Sequence, residues 1–240
     1  MCNSQFAMHN DSDILKPRRS AWGNCKNRSF GVNSAFRAAL FDLDGVIIDT
    51  ENQYSGFYGG IGREFRPDVP DFALRIKGQA LHQIYKTWFD GNISLQNEIT
   101  RRLDVFETQM DYRYVKGFDR FIRHLRDANI KTAIVTSSND KKMASVYKAH
   151  PELYECFDRV LTADDYKASK PEPDCYLKGA EVLGVNPGDC IVFEDSINGL
   201  KSGRAAGCFV VGLTTTNPPE VVQQYANLVI PDFTDPSLLL

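Results

Sequence analysis

The stretch that decides the fold reads Phe41-Asp42-Leu43-Asp44-Gly45-Val46-Ile47-Ile48-Asp49-Thr50. It continues the apolar run of residues 38–41, which is short, uncharged and typical of a buried strand. Because residues two apart on a strand point to the same face, Asp42 and Asp44 are predicted to leave the strand end together, roughly 6–7 Å apart. Such a pair is costly to desolvate without a cation, and Gly45 lets the chain turn just beyond it. The pattern favours a site for one cation and one phosphate group over a surface turn after an edge strand.

The composition of the 240-residue chain argues against several classes of function. With 42% hydrophobic and 25% charged residues, the chain is long enough for a sizeable core and a small second domain. The net charge of −3 and the lack of Lys/Arg-rich runs argue against nucleic acid as a partner. No apolar run approaches the roughly 18–20 residues of a membrane span, so no membrane partner is expected. The six cysteines are scattered without metal-binding spacing, which is typical of reduced thiols and predicts a cytoplasmic protein.

Residues 1–36 differ from the rest of the chain. They are rich in Asn, Ser, Arg and Lys, show no sustained periodicity and lack the apolar stretch of a secretory signal. Their basic residues could suggest a transit peptide, but Asp11 and Asp13 argue against one. We expect a disordered N-terminal extension, or sequence upstream of the true start.

The remainder alternates strand-like and helical patterns. Short apolar runs predict strands at residues 131–135, 159–162, 190–193, 209–213 and 228–230, and amphipathic spacing predicts helices at 118–125, 174–183 and 197–206. The stretch up to about residue 114 is different, because it contains helical patterns without a convincing strand. Helices are predicted there at 81–88 and 95–110, and a third near 54–65 is weakened by four glycines.

Polar groups follow several of the predicted strands. Thr136 and Ser137 end the strand at 131–135, and the first N–H groups of the next helix favour an anion, although Ser138 and Asn139 also suit simple helix capping. Lys170 is followed by two prolines that stiffen its loop. An ammonium held in this way suits a phosphate group.

Acidic groups end a further strand, where Glu194-Asp195-Ser196 follows residues 190–193 and precedes a glycine-bearing turn. In their order and positions, the four segments resemble the motifs of the haloacid-dehalogenase-like (HAD) superfamily, in the subgroup of small-molecule phosphatases and β-phosphoglucomutases. The resemblance covers about residues 37–234. It implies an α/β fold with a Rossmann-like doubly wound parallel sheet, formed by residues 37–53 and 115–240. It also implies an inserted α-helical cap at residues 54–114 that closes over the active site.

The resemblance implies a role for each site residue. Asp42 would be the nucleophile and Asp44 the acid and base, while phosphate would be bound by Thr136, Ser137 and Lys170. Mg²⁺ is the implied cofactor, because it prefers hard oxygen ligands. Its implied ligands are Asp42, the backbone carbonyl of Asp44, and Asp195, with Glu194 as a further ligand or as a partner of the ligands. Lys77-Gly78 resembles the substrate-binding loop of the cap, although a lone loop lysine is as often simply solvated.

These implications predict a Mg²⁺-dependent phosphatase that acts on a small phosphorylated metabolite through an aspartyl-phosphate. The alternative is a β-phosphoglucomutase. Such enzymes have an arginine just after the cap lysine and a histidine soon after the first motif. Here Gln79, Ala80 and Leu81 follow Gly78, and Tyr54 replaces the histidine, so both features are missing. A catalytically inactive binding protein would need a replacement among the core site residues, and none is replaced. The substrate and the oligomeric state stay open, and a monomer is compatible with the sequence.

Overall fold

The computed structural model describes residues 36–234. Six parallel strands form one sheet in the spatial order β3-β2-β1-β4-β5-β6. The strands are β1 (Ala38–Phe41), β2 (Lys131–Val135), β3 (Arg159–Leu161), β4 (Cys190–Glu194), β5 (Phe209–Leu213) and β6 (Leu228–Ile230). The chain order reverses at β1, and ligands of such sheets bind beyond the carboxyl ends of the strands at that switch point. The predicted α/β, Rossmann-like doubly wound parallel sheet is confirmed.

Helices connect the strands and cover the sheet. They are α1 (Glu51–Phe65), α2 (Phe72–Arg75), α3 (Leu81–Trp88), α4 (Ile93–Gln109), α5 (Phe118–Asp127), α6 (Asp140–Ala149), α7 (Leu153–Cys156), α8 (Asp174–Leu183), α9 (Ile197–Ala205) and α10 (Pro219–Val222). Single 3₁₀ turns lie at Ala163–Asp165 and Pro187–Asp189. The first four helices are inserted between β1 and β2, as expected for a cap. The cap boundaries at residues 54 and 114 stay predictions.

Strand β1 is uniformly apolar because it lies between β2 and β4 with both of its faces covered. All four of its side chains are fully buried. The ring of Phe41 stacks on that of Phe193 at 4.6 Å between centroids, and Phe118 meets it edge-on at 5.7 Å. These contacts hold the last residue of β1 rigidly, and the chain segment that follows starts from a fixed point.

The first four helices pack around an apolar cluster of their own. Its buried members are Ile61, Phe72, Ile76, Ile84, Phe89 and Ile99. Helix α1 begins at Glu51, three residues before the predicted start, and its glycines do not interrupt it. One of them explains the packing, since a Cβ on Gly62 would lie 2.6 Å from the Cβ of Phe72. Helices α1 and α2 therefore approach each other at a point where only glycine fits.

Other sequence predictions differ from the structure by one or two residues at the ends of elements. The predicted strand at 159–162 ends at residue 161, the strand at 190–193 includes residue 194, and the helix at 95–110 is α4. The predicted disordered extension lies outside the described residues, apart from residue 36. The four cysteines of the described part are free and buried. Between residues 36 and 234, no helix combines the length and the apolar character needed to cross a membrane.

Candidate active site

The two aspartates lie just beyond β1 rather than on it. The strand ends at Phe41, and the backbone N–H of Asp42 donates to the carbonyl of Phe193 at 3.0 Å, which continues the pairing with β4 by one residue. Asp44 already belongs to the turn. The prediction that both carboxylates leave a strand on one face was wrong in this detail, because the strand ends one residue before Asp42 and three residues before Asp44. The two side chains consequently have different partners.

Lys170 lies in the loop before α8 and joins the carboxylates of Asp42 and Glu194. Its Nζ donates to Asp42 Oδ1 at 2.6 Å, to Glu194 Oε1 at 2.7 Å and to the carbonyl of Val135 at 3.2 Å. Burial alone would lower the pKa of Lys170, but the two carboxylates outweigh it and raise the pKa well above its usual value. The ammonium is therefore held in its charged form beside the predicted nucleophile.

Glu194 ends β4, and protein groups bind both of its carboxylate oxygens. Besides Lys170, the hydroxyl of Tyr176 donates to Oε1 at 3.1 Å, and the backbone N–H groups of Asp195 and Ser196 donate to Oε2 at 2.8 Å each. A Cβ on Gly199 would lie only 1.6 Å from Oε1, so the start of α9 presses against the carboxylate. Two roles were predicted for Glu194, as a metal ligand or as a residue that hydrogen-bonds the groups around the metal. These contacts favour the second role.

Asp195 lies against the turn that contains Gly45. This glycine has a φ of +74°, and a Cβ on it would lie 2.0 Å from Asp195 Oδ2. Two threonines fix the contact, since the hydroxyl of Thr215 donates to the Gly45 carbonyl at 2.6 Å and that of Thr216 donates to Asp195 Oδ2. The turn after β1 and the end of β4 therefore meet as the sequence predicted.

The charges of these groups repel one another. Burial raises the pKa of Asp42 to about 7, with the carboxylates of Glu194 and Asp44 adding to the increase and Lys170 opposing it. Burial, Glu194 and Asp42 together raise the pKa of Asp195 well above its usual value. Both groups line the cavity, and among residues 36–234 no cationic side chain forms an ion pair with Asp195. A cation bound between them would offset this repulsion.

The donor set suits Mg²⁺ better than a metal that needs a complete protein cage. In the described part of the chain, no three His, Cys, Asp or Glu side chains are grouped to hold a metal ion. Magnesium characteristically binds through one or two carboxylates and completes its shell with water and substrate phosphate. Asp42 and Asp195 supply that number of carboxylates, and Gly45 leaves the space beside the Asp195 carboxylate free of a side chain. The residues therefore fit the predicted cofactor, whose presence stays a prediction.

Asp44 points to a different set of partners. The hydroxyl of Thr50 donates to Oδ1 at 2.7 Å, and that of Ser138 donates to Oδ2 at 3.0 Å. The ammonium of Lys142 contacts both carboxylate oxygens. Lys142 lies on α6 and is only 2% exposed, and the sequence analysis did not find it. It is the second of two adjacent lysines, a pattern typical of a solvated helix surface, so the sequence carries no signal of its burial.

The segment after β2 provides the predicted phosphate groups. Thr136 is buried, and its Oγ1 accepts from the N–H of Ser138 at 3.0 Å, while Ser137 is half-buried. Asn139 caps α6, because its side chain accepts from the N–H of Lys142 at 3.0 Å. The capping alternative thus holds for Asn139 but not for Ser138, whose hydroxyl goes to Asp44. Thr136 and Ser137 both line the cavity.

The cavity between sheet and inserted helices has a volume of about 750 Å³. Lys77 and Gly78 line it, and Lys77 Nζ lies 3.0 Å from a carboxylate oxygen of Glu51. The carbonyl of Gly78 accepts from the side chain of Asn198 at 3.0 Å, and Gln83 donates to the carbonyl of Lys170 at 3.2 Å. The predicted cap loop therefore touches the start of α9, and helix α3 touches the loop that carries Lys170. Lys77 is paired rather than freely solvated, and its contact with a substrate stays a prediction.

The parallel sheet and the residues grouped at its carboxyl edge, Asp42, Thr136, Lys170 and Asp195, define a class of α/β proteins. Comparison with known families identifies that class. The model of the haloacid dehalogenase-like hydrolases matches residues 36–207. The chain belongs to this family.

Among its relatives, the bifunctional riboflavin kinase/FMN phosphatase of Arabidopsis thaliana is 29% identical over 72% of this chain, which spans about half (47%) of that protein. The putative phosphatase YhcW of Bacillus subtilis is 30% identical over 73% of this chain and 83% of its own length. A β-phosphoglucomutase of Mycobacterium bovis is 25% identical over 82% and 88% of the two chains. The crystal structure of a family IA HAD hydrolase from Entamoeba histolytica has a TM-score of 0.74, with 24% identity over 85% of this chain and 97% of that one.

Proposed function

We propose that this chain is a Mg²⁺-dependent phosphatase that hydrolyses a small phosphorylated metabolite through an aspartyl-phosphate on Asp42. The observation that carries the proposal is the Lys170 ammonium, held 2.6 Å from Asp42 Oδ1 at the base of the cavity. An ammonium there offsets the repulsion between an anionic nucleophile and an anionic phosphate. The phosphatases among the relatives support the same class of reaction.

In the first step, a carboxylate oxygen of Asp42 bonds to phosphorus while the bond between phosphorus and the ester oxygen breaks. Asp44, in its acid form, gives its proton to the leaving oxygen. In the second step, a water molecule gives a proton to Asp44 and bonds to phosphorus, and the bond from phosphorus to Asp42 breaks. Inorganic phosphate leaves, and both aspartates return to their starting forms. Thr136 and Ser137 bind the phosphoryl oxygens throughout.

Asp42 and Asp195 would hold the Mg²⁺ ion together with the backbone carbonyl of Asp44. When bound, the ion supplies positive charge that stabilises the transferring phosphoryl group and the carboxylates around it. Glu194 keeps Lys170 and the Asp195 backbone in place through its hydrogen bonds. The partner of the protein in this proposal is a small phosphate ester.

The cavity lining favours hydrolysis over the mutase alternative. A phosphoglucomutase must bind a second phosphate of a bisphosphorylated sugar away from the reacting one. Among the described residues that line the cavity there is no arginine, and Lys77 is already paired with Glu51. Besides Lys170, the other basic residues there are His82 and Lys167. A second phosphate would therefore lack a guanidinium, the partner that binds phosphate through two parallel hydrogen bonds.

A phosphate-release assay with a panel of phosphate esters tests the proposal. Release should require Mg²⁺, stop in EDTA, and vanish in Asp42→Asn, since an amide neither attacks phosphorus nor binds the cation well. Turnover of Asp42→Asn at near wild-type rates would place the nucleophile elsewhere. A coupled assay for conversion of β-glucose 1-phosphate to glucose 6-phosphate, primed with glucose 1,6-bisphosphate, covers the alternative. Isomerisation much faster than phosphate release would overturn the choice of a hydrolase.

A further inference from the structure

A buried ion pair next to the cavity is not explained by the steps above. Lys142 on α6 has both oxygens of the Asp44 carboxylate as its partners. Its side chain is 2% exposed, whereas that of Asp44 is 24% exposed and lines the cavity. The lysine therefore lies behind the carboxylate, out of reach of a substrate. Burying an ammonium is costly, so a lysine in this place needs a compensating role.

The inserted helices complete the surroundings of this lysine. Its Nζ lies 4.6 Å from the ring centroid of Tyr54 on α1, close enough for a cation–π contact. The Tyr54 hydroxyl in turn donates to Glu107 on α4 at 2.7 Å. Glu107 is itself buried and places a second carboxylate near the ammonium. The ammonium is thus surrounded by groups from both the sheet side and the inserted helices, and its position is closely defined.

We propose that Lys142 is a positioning residue for Asp44, whose carboxyl group it holds facing the cavity for the two proton transfers. This inference rests on the proposed phosphatase function. The ammonium behind the carboxyl group, together with the hydroxyls of Thr50 and Ser138, contacts both of its oxygens and fixes its direction toward the cavity. Tyr54 and Glu107 keep the ammonium aligned.

The neighbouring lysine offers a matched control. Lys141 lies on the same helix and also reaches the inserted helices, through an ion pair with Asp104 at 2.8 Å. Its side chain is 75% exposed and has no contact with Asp44. Lys141→Met therefore removes a charge and a contact between the sheet side and the inserted helices, but leaves Asp44 untouched.

The test compares phenyl phosphate with p-nitrophenyl phosphate in single turnovers with Mg²⁺ and enzyme in excess. Phenolate needs a proton to leave, whereas p-nitrophenolate is far more acidic and needs little help. Because general acid catalysis contributes roughly 10²–10⁴-fold, Lys142→Met should slow phenol release by about 100-fold and p-nitrophenolate release by less than about 10-fold. In separate steady-state assays, KM for both esters should change less than about twofold, since Lys142 does not line the cavity. Lys142→Arg should recover part of the loss of phenol release. Lys141→Met should behave as the wild type.

Equal losses with the two esters, or a rise in KM alone, would overturn the role assigned to Lys142. Near-ultraviolet circular dichroism establishes that each variant is folded. If Lys142→Met is not folded, Lys142→Gln, which keeps a neutral hydrogen-bond donor on a side chain one bond shorter, enters the same comparison with the same expected order of losses. A wild type that releases phosphate from neither ester would instead overturn the proposed function, and this inference with it.

Discussion

Replacing Lys170 by methionine should destabilise the protein strongly. The variant keeps the volume of the side chain but leaves the carboxylates of Asp42 and Glu194, 12% and 0% exposed, without their common cation. Breaking a buried ion pair in this way typically costs 3–5 kcal/mol, so we expect the free energy of unfolding to fall by about 4 kcal/mol at pH 7.5. The expected loss is a large fraction of the total stability of a domain of this size.

Urea unfolding in EDTA, followed by circular dichroism, measures this loss. Adding Glu194→Gln to the variant should recover about half of it, because an amide leaves no uncompensated charge there. The loss should also be smaller at pH 5.5, where a carboxylate without its ammonium takes up a proton. Lys178→Met is the control. This lysine pairs with Glu181 on the surface of α8, and its loss should change stability by less than about 0.5 kcal/mol. A loss below 1 kcal/mol for Lys170→Met would refute the reasoning.

Three further outcomes follow from the site. In urea titrations, Gly199→Ala should lower the free energy of unfolding by about 2–3 kcal/mol, because the new Cβ would lie 1.6 Å from Glu194 Oε1. The control Gly56→Ala places its Cβ in open space and should raise the free energy of unfolding by up to about 1 kcal/mol. In EDTA, the free energy of unfolding of the wild type should fall relative to that of Asp42→Asn as the pH rises from about 4 to about 7. A carboxyl group whose pKa is raised to about 7 binds its proton more tightly in the folded than in the unfolded protein, so losing that proton disfavours folding. That slope should not exceed about 1.4 kcal/mol per pH unit, and a relative gain with rising pH would contradict it. Lys77→Met should raise KM for the best ester of the panel with little change in kcat, and an unchanged KM would remove Lys77 from the substrate site.

The sequence was most informative where one local rule decides the structure. The strands at 131–135 and 209–213 were predicted at their observed bounds, because short runs rich in apolar residues are characteristic of strands covered on both faces. Asp42, Thr136, Lys170 and Asp195 were predicted as a group because their segments resemble the four family motifs, and each follows a predicted strand. The carboxyl ends of parallel strands meet at one edge of the sheet, so residues placed there in sequence come together in space.

The sequence was least informative where packing between distant segments decides. Lys142 and Glu107 are ordinary helix-surface residues by type, and only the approach of α6 and α4 buries them together with Tyr54. The start of α1 was predicted three residues too late, and the glycines that were expected to weaken this helix were weighed by intrinsic propensity alone. At Gly62 the contact with Phe72 outweighs that penalty. The contact of Lys142 with Tyr54 and that of Gly62 with Phe72 each join two different helices, so no periodic pattern predicts them.

The apolar cluster of the first four helices shares no member with the two clusters that cover the sheet. A substitution that reshapes the walls of the cavity can therefore be absorbed among those helices, while the strand ends that hold Asp42 and Asp195 keep their positions. Selection on what enters the cavity and selection on the phosphoryl chemistry then act on separate parts of the chain. Such a protein can change its substrate over evolutionary time without first losing its catalyst, and libraries randomised in residues 72–84 are the natural place to look for new activities.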